Sequence, residues 1–105
     1  MPTKHAAKKA LDLIDFISAS PTASHAAGES ARRLENAGFK RFEEKSAWKI
    51  KKGGKFYVVR DDSAIIACRI GTKPPEKSGF RIVGAHTDCP GLRLKPNAVY
   101  TQGGY

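Results

Sequence analysis

His86-Thr87-Asp88 is the part of this chain whose residue types and spacing point most directly to chemistry. It follows an apolar run, Phe80 to Ala85, and precedes Cys89-Pro90-Gly91, a string with the composition of a turn. In open α/β sheets, ligands bind at the carboxyl ends of strands, where such a triplet would sit. In extended backbone residues i and i+2 face the same way, so His86 and Asp88 can share one site. A metal-bound imidazole commonly has its second nitrogen held by a carboxylate, which fixes the tautomer and raises ligand basicity. Spacing alone leaves a plain alternative open, a polar turn after a strand. The cysteines add little. Cys68 lies in an apolar run and reads as a small buried hydrophobe, and Cys89 sits in the turn-like segment. They form no Cys-x-x-Cys pair, so neither a zinc ribbon nor a disulfide framework is indicated.

The elements that must position the triplet can be read from periodicity. Between Lys4 and Ser18, Ala6, Ala10, Leu13, Ile14 and Ile17 fall on one stripe of an amphipathic helix. Ser20-Pro21 ends it, because the residue before a proline is pushed out of the helical region. A second helix is expected from an N-cap at Ser24 to Ala37, with Ala27, Ala31 and Leu34 on its inner face. Gly38 then supplies a left-handed residue after the helix, with Phe39 packing back. After Phe42 the period changes to two. Trp48 and Ile50 alternate with Lys49 and Lys51 as in a half-exposed strand, and Gly53-Gly54 reads as a hairpin turn into Lys55 to Arg60. Asp61-Asp62-Ser63 is a further turn. Ala64 to Ile70 and Phe80 to Ala85 are continuous apolar runs, the pattern of strands covered on both faces, separated by a loop from Gly71 to Gly79. The reading is α/β, two helices followed by about four mixed strands.

The chain has 105 residues, 40% of them hydrophobic and 28% charged, enough for one small domain and unlike collagen, a disordered segment or a disulfide scaffold. No apolar run approaches the ~20 residues of a membrane helix. Met1 to Lys9 carries basic residues but no apolar stretch of signal-peptide type, so a cytoplasmic location is the expectation. The net charge of +9 would suit nucleic acid or acidic ligands. The basic residues are spread along the chain, however, and no run reaches the length of a binding tail. Lys49-Ile50-Lys51-Lys52 and Lys55-Phe56-Tyr57 approach the interleaving of aromatics and cations that a small nucleic-acid-binding module uses, without an RNP-like or KH-type motif. That module is the alternative reading.

The wider string decides between these. Gly84-Ala85-His86-Thr87-Asp88-Cys89-Pro90-Gly91-Leu92-Arg93-Leu94-Lys95-Pro96 closely resembles the motif of the aspartyl aminopeptidase family of cocatalytic zinc metallopeptidases. The usual form there is Gly-Ala-His-Thr-Asp-Ser-Pro, a small or polar residue, then Leu-Arg-Leu-Lys-Pro. Cys89 stands where serine is usual. Ser20-Pro21-Thr22 with His25-Ala26, the helix end Leu34-Glu35-x-Ala37-Gly38-Phe39, and Trp48 resemble the family's N-terminal region in order and spacing. Gly103-Gly104-Tyr105 resembles the start of its next segment.

The resemblance implies an incomplete N-terminal portion, residues 1–105, of an α/β/α zinc-peptidase catalytic domain. It implies removal of unblocked N-terminal Asp or Glu from peptides by two-zinc hydrolysis, and a homo-oligomer at full length. His86 matches a zinc ligand, and Asp88 the aspartate that orients a ligand and tunes the metal. His25 matches a histidine of the helix region, with a structural role the simplest. A thiol at Cys89 beside a zinc ligand could reach the metal, or be a conservative swap. The other metal ligands and the catalytic glutamate lie downstream in the family, so the isolated chain is expected to be inactive. Covered strands without their covering helices are expected to make it self-associate.

Overall fold

Both long helices begin where a threonine can satisfy their free N–H groups. Thr3 Oγ1 accepts from the Ala6 N–H at 3.2 Å and opens α1, Lys4–Ser18. Thr22 Oγ1 accepts from the His25 N–H at 3.3 Å and opens α2, Ala23–Asn36. Thr22, not Ser24, is therefore the cap: the helix starts as soon as the chain has passed Pro21. A cap at Thr22 puts the bond on the third residue in, the usual geometry. The computed structural model describes residues 3–104. Met1, Pro2 and Tyr105 lie outside them, and with them the ends of the strings Met1 to Lys9 and Gly103-Gly104-Tyr105.

The end of α2 is built as expected. Gly38 has φ 86°, the Gly38 N–H donates to Glu35 O at 2.9 Å, and the Phe39 N–H donates to Leu34 O at 2.9 Å. These are the paired bonds of a Schellman motif, which turns the chain sharply towards the sheet. Lys55 strengthens the corner: its Nζ donates to Ala37 O at 2.7 Å and lies 5.5 Å from the Phe39 ring centre.

The sheet has three strands in the order β1 (Lys40–Arg41), β2 (Lys55–Arg60), β3 (Ala64–Arg69). β1 runs parallel to β2, with Lys40 opposite Phe56, and β3 runs antiparallel, with Phe56 opposite Cys68. A one-turn helix, α3 (Pro75–Ser78), follows. The α/β class holds, with three strands in place of about four and a third short helix.

Two expected strands are absent among the described residues. Trp48 to Ile50 is irregular, because Trp48 folds back: its indole Nε1 donates to Glu43 O at 2.8 Å and its ring packs on Phe42 and Phe56. Gly53-Gly54 accordingly closes a local turn, with the Gly54 N–H on Lys51 O at 2.9 Å, and makes no hairpin. Phe80 to Ala85 is exposed and pairs with no strand.

The core is small. Ala26 and Ala27 of α2 and Phe56, Tyr57 and Val58 of β2 are buried, and α2 packs against both β2 and β3. Tyr57 donates a short hydrogen bond to Glu35, tying the middle strand to α2. Phe42 stacks on Phe56 with ring centres 4.8 Å apart. Ala64 to Arg69 forms its strand but is mostly exposed, and Cys68 is half-buried where the apolar run predicts full burial. A continuous apolar run specifies a strand to be covered on both faces; here α2 covers only one side of the sheet.

Candidate metal site

The loop that carries His86 and Asp88 is fastened at one point. From Gly71 to Gly104 every residue is exposed except Thr87. Its Oγ1 donates to Ser63 O at 2.7 Å, the one hydrogen bond among the described residues that joins this stretch to the body of the protein. Ser63 closes the β2–β3 turn, where its N–H meets Arg60 O at 3.3 Å. Asp61 and Asp62 hold φ 51° and 55° there, a left-handed conformation that aspartate tolerates better than most side chains.

The neighbours of Thr87, His86 and Asp88, are both open to solvent. They meet: His86 Nδ1 lies 2.7 Å from Asp88 O and 3.3 Å from Asp88 Oδ1. A carbonyl oxygen only accepts, so Nδ1 carries the proton in the neutral ring and Nε2 presents its lone pair. That is the tautomer a metal ligand needs. Both side chains are open, at 78% and 79% exposure. Zinc accepts imidazole nitrogen and carboxylate oxygen, so the pair fits as part of a ligand set. No group of three or more His, Cys, Asp and Glu gathers among the described residues, so the pair is not a complete one.

The other candidate residues stand apart from it. His25 belongs to the start of α2, where Nδ1 lies 2.7 Å from Thr22 Oγ1. Cys89 is exposed with a free thiol. Among the aromatics expected to serve a nucleic-acid surface, Phe56 and Tyr57 are buried and offer no ring to a base. The anchoring hydrogen bond of Thr87 to Ser63 O is a feature that the sequence reading misses.

Comparison with known proteins decides the relationship. The sequence model of the family described as aminopeptidase I zinc metalloprotease (M18) matches residues 16–105. The chain belongs to the M18 family. Its M18 relatives include proteins named "Probable M18 family aminopeptidase 2" from Pseudomonas paraeruginosa, 54% identical over 93 residues, and from Azotobacter vinelandii, 47% identical over 93 residues. Each match takes in 89% of this chain and 22% of the relative, so the chain spans about a fifth of their length. Among solved structures, the cryo-EM structure of the Ape4 and Nbr1 complex superposes with a TM-score of 0.82 at 45% identity, over 91% of this chain and 19% of that one. Yeast aminopeptidase 1 gives 0.55 at 35% identity, over 62% and 16%. The stretch matched by the M18 model includes α2, the whole sheet and His86-Thr87-Asp88.

Proposed function

We propose that this chain is an incomplete N-terminal portion, residues 1–105, of the catalytic domain of a zinc aminopeptidase. The protein would remove unblocked N-terminal Asp or Glu from peptides by two-zinc hydrolysis. The observation that carries the reading is the His86–Asp88 pair, with Nδ1 engaged at 2.7 Å and Nε2 turned free, inside the stretch that the M18 model matches. His86 is the metal ligand and Asp88 its orienting partner. Asp88 locks the ring's tautomer through its carbonyl oxygen and steadies the ring through its carboxylate, which raises the basicity of Nε2. Zinc bound there with its further ligands supplies a Lewis acid for the scissile carbonyl and an activated water. A catalytic zinc takes three protein ligands, so the 105-residue chain alone holds the metal weakly and hydrolyses nothing.

A homo-oligomer is part of the proposal: one structural neighbour, aminopeptidase mApe1 of S. cerevesiae, is described as a dodecamer. No helix among the described residues is long and apolar enough to cross a membrane, and a cytoplasmic site of action is proposed with the rest.

The test is His86→Ala and Asp88→Asn in the protein at the length its source cells make. Loss of at least one zinc per subunit and of peptidase activity in His86→Ala is expected, with Asp88→Asn intermediate. Retained zinc and activity in His86→Ala would sink the assignment. Chromogenic amides of Asp, Glu, Leu and Ala, compared by kcat/KM, decide the substrate class.

A further inference from the structure

We propose that Thr87 is the positioning residue of this site, holding His86 in place through its hydrogen bond to the backbone carbonyl of Ser63. The proposal rests on the reading of His86 as a zinc ligand. It starts from an asymmetry of burial: Thr87 is the one shielded residue between Gly71 and Gly104, in the middle of a motif whose other members are open. Its hydroxyl spans 24 residues of sequence to reach Ser63 O at 2.7 Å. The acceptor is held by two devices at once. Ser63 begins where the Asp61–Asp62 turn returns the chain, with φ 51° and 55°, and the next residue, Ala64, is already paired with Arg60 in the sheet.

Three consequences follow from the chemistry. The donor must be a hydroxyl, so serine can replace threonine and valine, of the same shape, cannot. The acceptor is main chain, so the side chain of Ser63 is dispensable. Finally, Thr87 touches no metal; it acts through the backbone of its two neighbours, one of which must present Nε2. Partners outside a metal's own ligands typically change affinity by about 10–100-fold when removed.

The experiment uses the zinc-loaded protein at its native length, with Thr87→Val, Thr87→Ser, Ser63→Ala and His86→Ala. Zinc affinity is read by chelator competition, and amide hydrogen exchange is read by mass spectrometry after zinc has been stripped with EDTA. The expected result for Thr87→Val is a roughly tenfold weaker zinc affinity, with kcat falling and KM near that of the parent. In the stripped protein, exchange over residues 84–90 rises at least severalfold while β2 and β3 keep their protection. Thr87→Ser and Ser63→Ala behave as the parent. Parent-like zinc affinity and exchange in Thr87→Val overturn the proposal, as does a Thr87→Ser variant impaired as much as Thr87→Val. Should Thr87→Val not fold, Thr87→Ala against Thr87→Ser decides it by the same readings. An unchanged zinc content per subunit in His86→Ala refutes the ligand assignment instead, and exchange over residues 84–90 in the stripped protein still decides the part played by Thr87.

Discussion

Arg33 of α2 holds Asp12 of α1 by both carboxylate oxygens, at 2.9 and 3.0 Å. The same guanidinium reaches Glu29 at 2.9 Å and lies 5.2 Å from the centre of the Phe16 ring. One side chain thus supplies most of what docks α1, whose apolar stripe is otherwise open: Leu13, Ile14 and Ile17 are 58%, 55% and 61% exposed. An ion pair near water contributes little by itself, but an arginine that also donates to the Asp12 backbone oxygen and covers an aromatic ring adds geometry and packing.

Replacing Arg33 by alanine is therefore expected to release α1 while leaving the sheet intact. Amide exchange in residues 4–18 should quicken by roughly fivefold, as befits a helix docked through one side chain and opening locally. Exchange in β2 and β3 should not change. A variant in which both regions loosen together would show that α1 is part of the core.

Acid should act on the same corner. Arg32 and Arg33 donate to Glu29 and hold its carboxyl at about 2, down from 4.5. A carboxylate whose pKa is depressed in the folded state stabilises that state above its unfolded value and loses the contribution as pH falls through the folded one. The stability difference between the parent and Glu29→Gln should be constant from pH 7 to about 5, shrink below 4.5 and vanish near pH 2. Urea titrations at several pH values measure it. A difference that grows with acid contradicts the assignment.

How far the sequence carries the fold depends on whether the deciding interactions are local. The Schellman turn at Gly38 and the Asp61–Asp62 turn are legible because a positive φ is written in one or two residues. Both helices are legible from spacing, and the cap moves from Ser24 to Thr22 because either hydroxyl residue suits the position. Trp48 misleads: alternation with lysines marks a strand, but an indole can instead satisfy its N–H on Glu43 and pack on Phe56. Two-residue β1 is invisible for the opposite reason, being too short for any period. At the site, spacing and motif single out His86 and Asp88. Thr87 escapes because its partner, Ser63, offers a backbone oxygen 24 residues away that no side-chain pattern announces.

Gly38→Ala tests the corner between α2 and the sheet. The backbone there has φ 86°, and an added Cβ would come 3.3 Å from Lys55 Nζ. The ammonium can swing aside, so the backbone strain decides the cost, about 1–2 kcal/mol. The urea midpoint should fall with an unchanged slope, whereas Gly28→Ala, with open space around its Cβ, should raise or preserve it. An unshifted midpoint in Gly38→Ala would mean that the corner relaxes without strain.

The last prediction concerns the 105-residue chain by itself. β3 is an edge strand with Ile66 exposed, and Phe80, Ile82 and Val83 lie open beside the same face of the protein, which they line together with Ile65 and Cys68. An edge with unpaired N–H and C=O groups and a broad apolar surface is a template for another strand. The chain should therefore associate with rising concentration, giving sedimentation coefficients above that of an 11.4 kDa monomer. Ile66→Lys together with Ile82→Lys should shift it towards monomer, because a lysine on the edge repels its counterpart and does not fit an apolar interface. A single monomer boundary for the parent at several hundred micromolar would show that α2 and the turn at Ser63 shield the sheet well enough, and the double substitution would then change nothing.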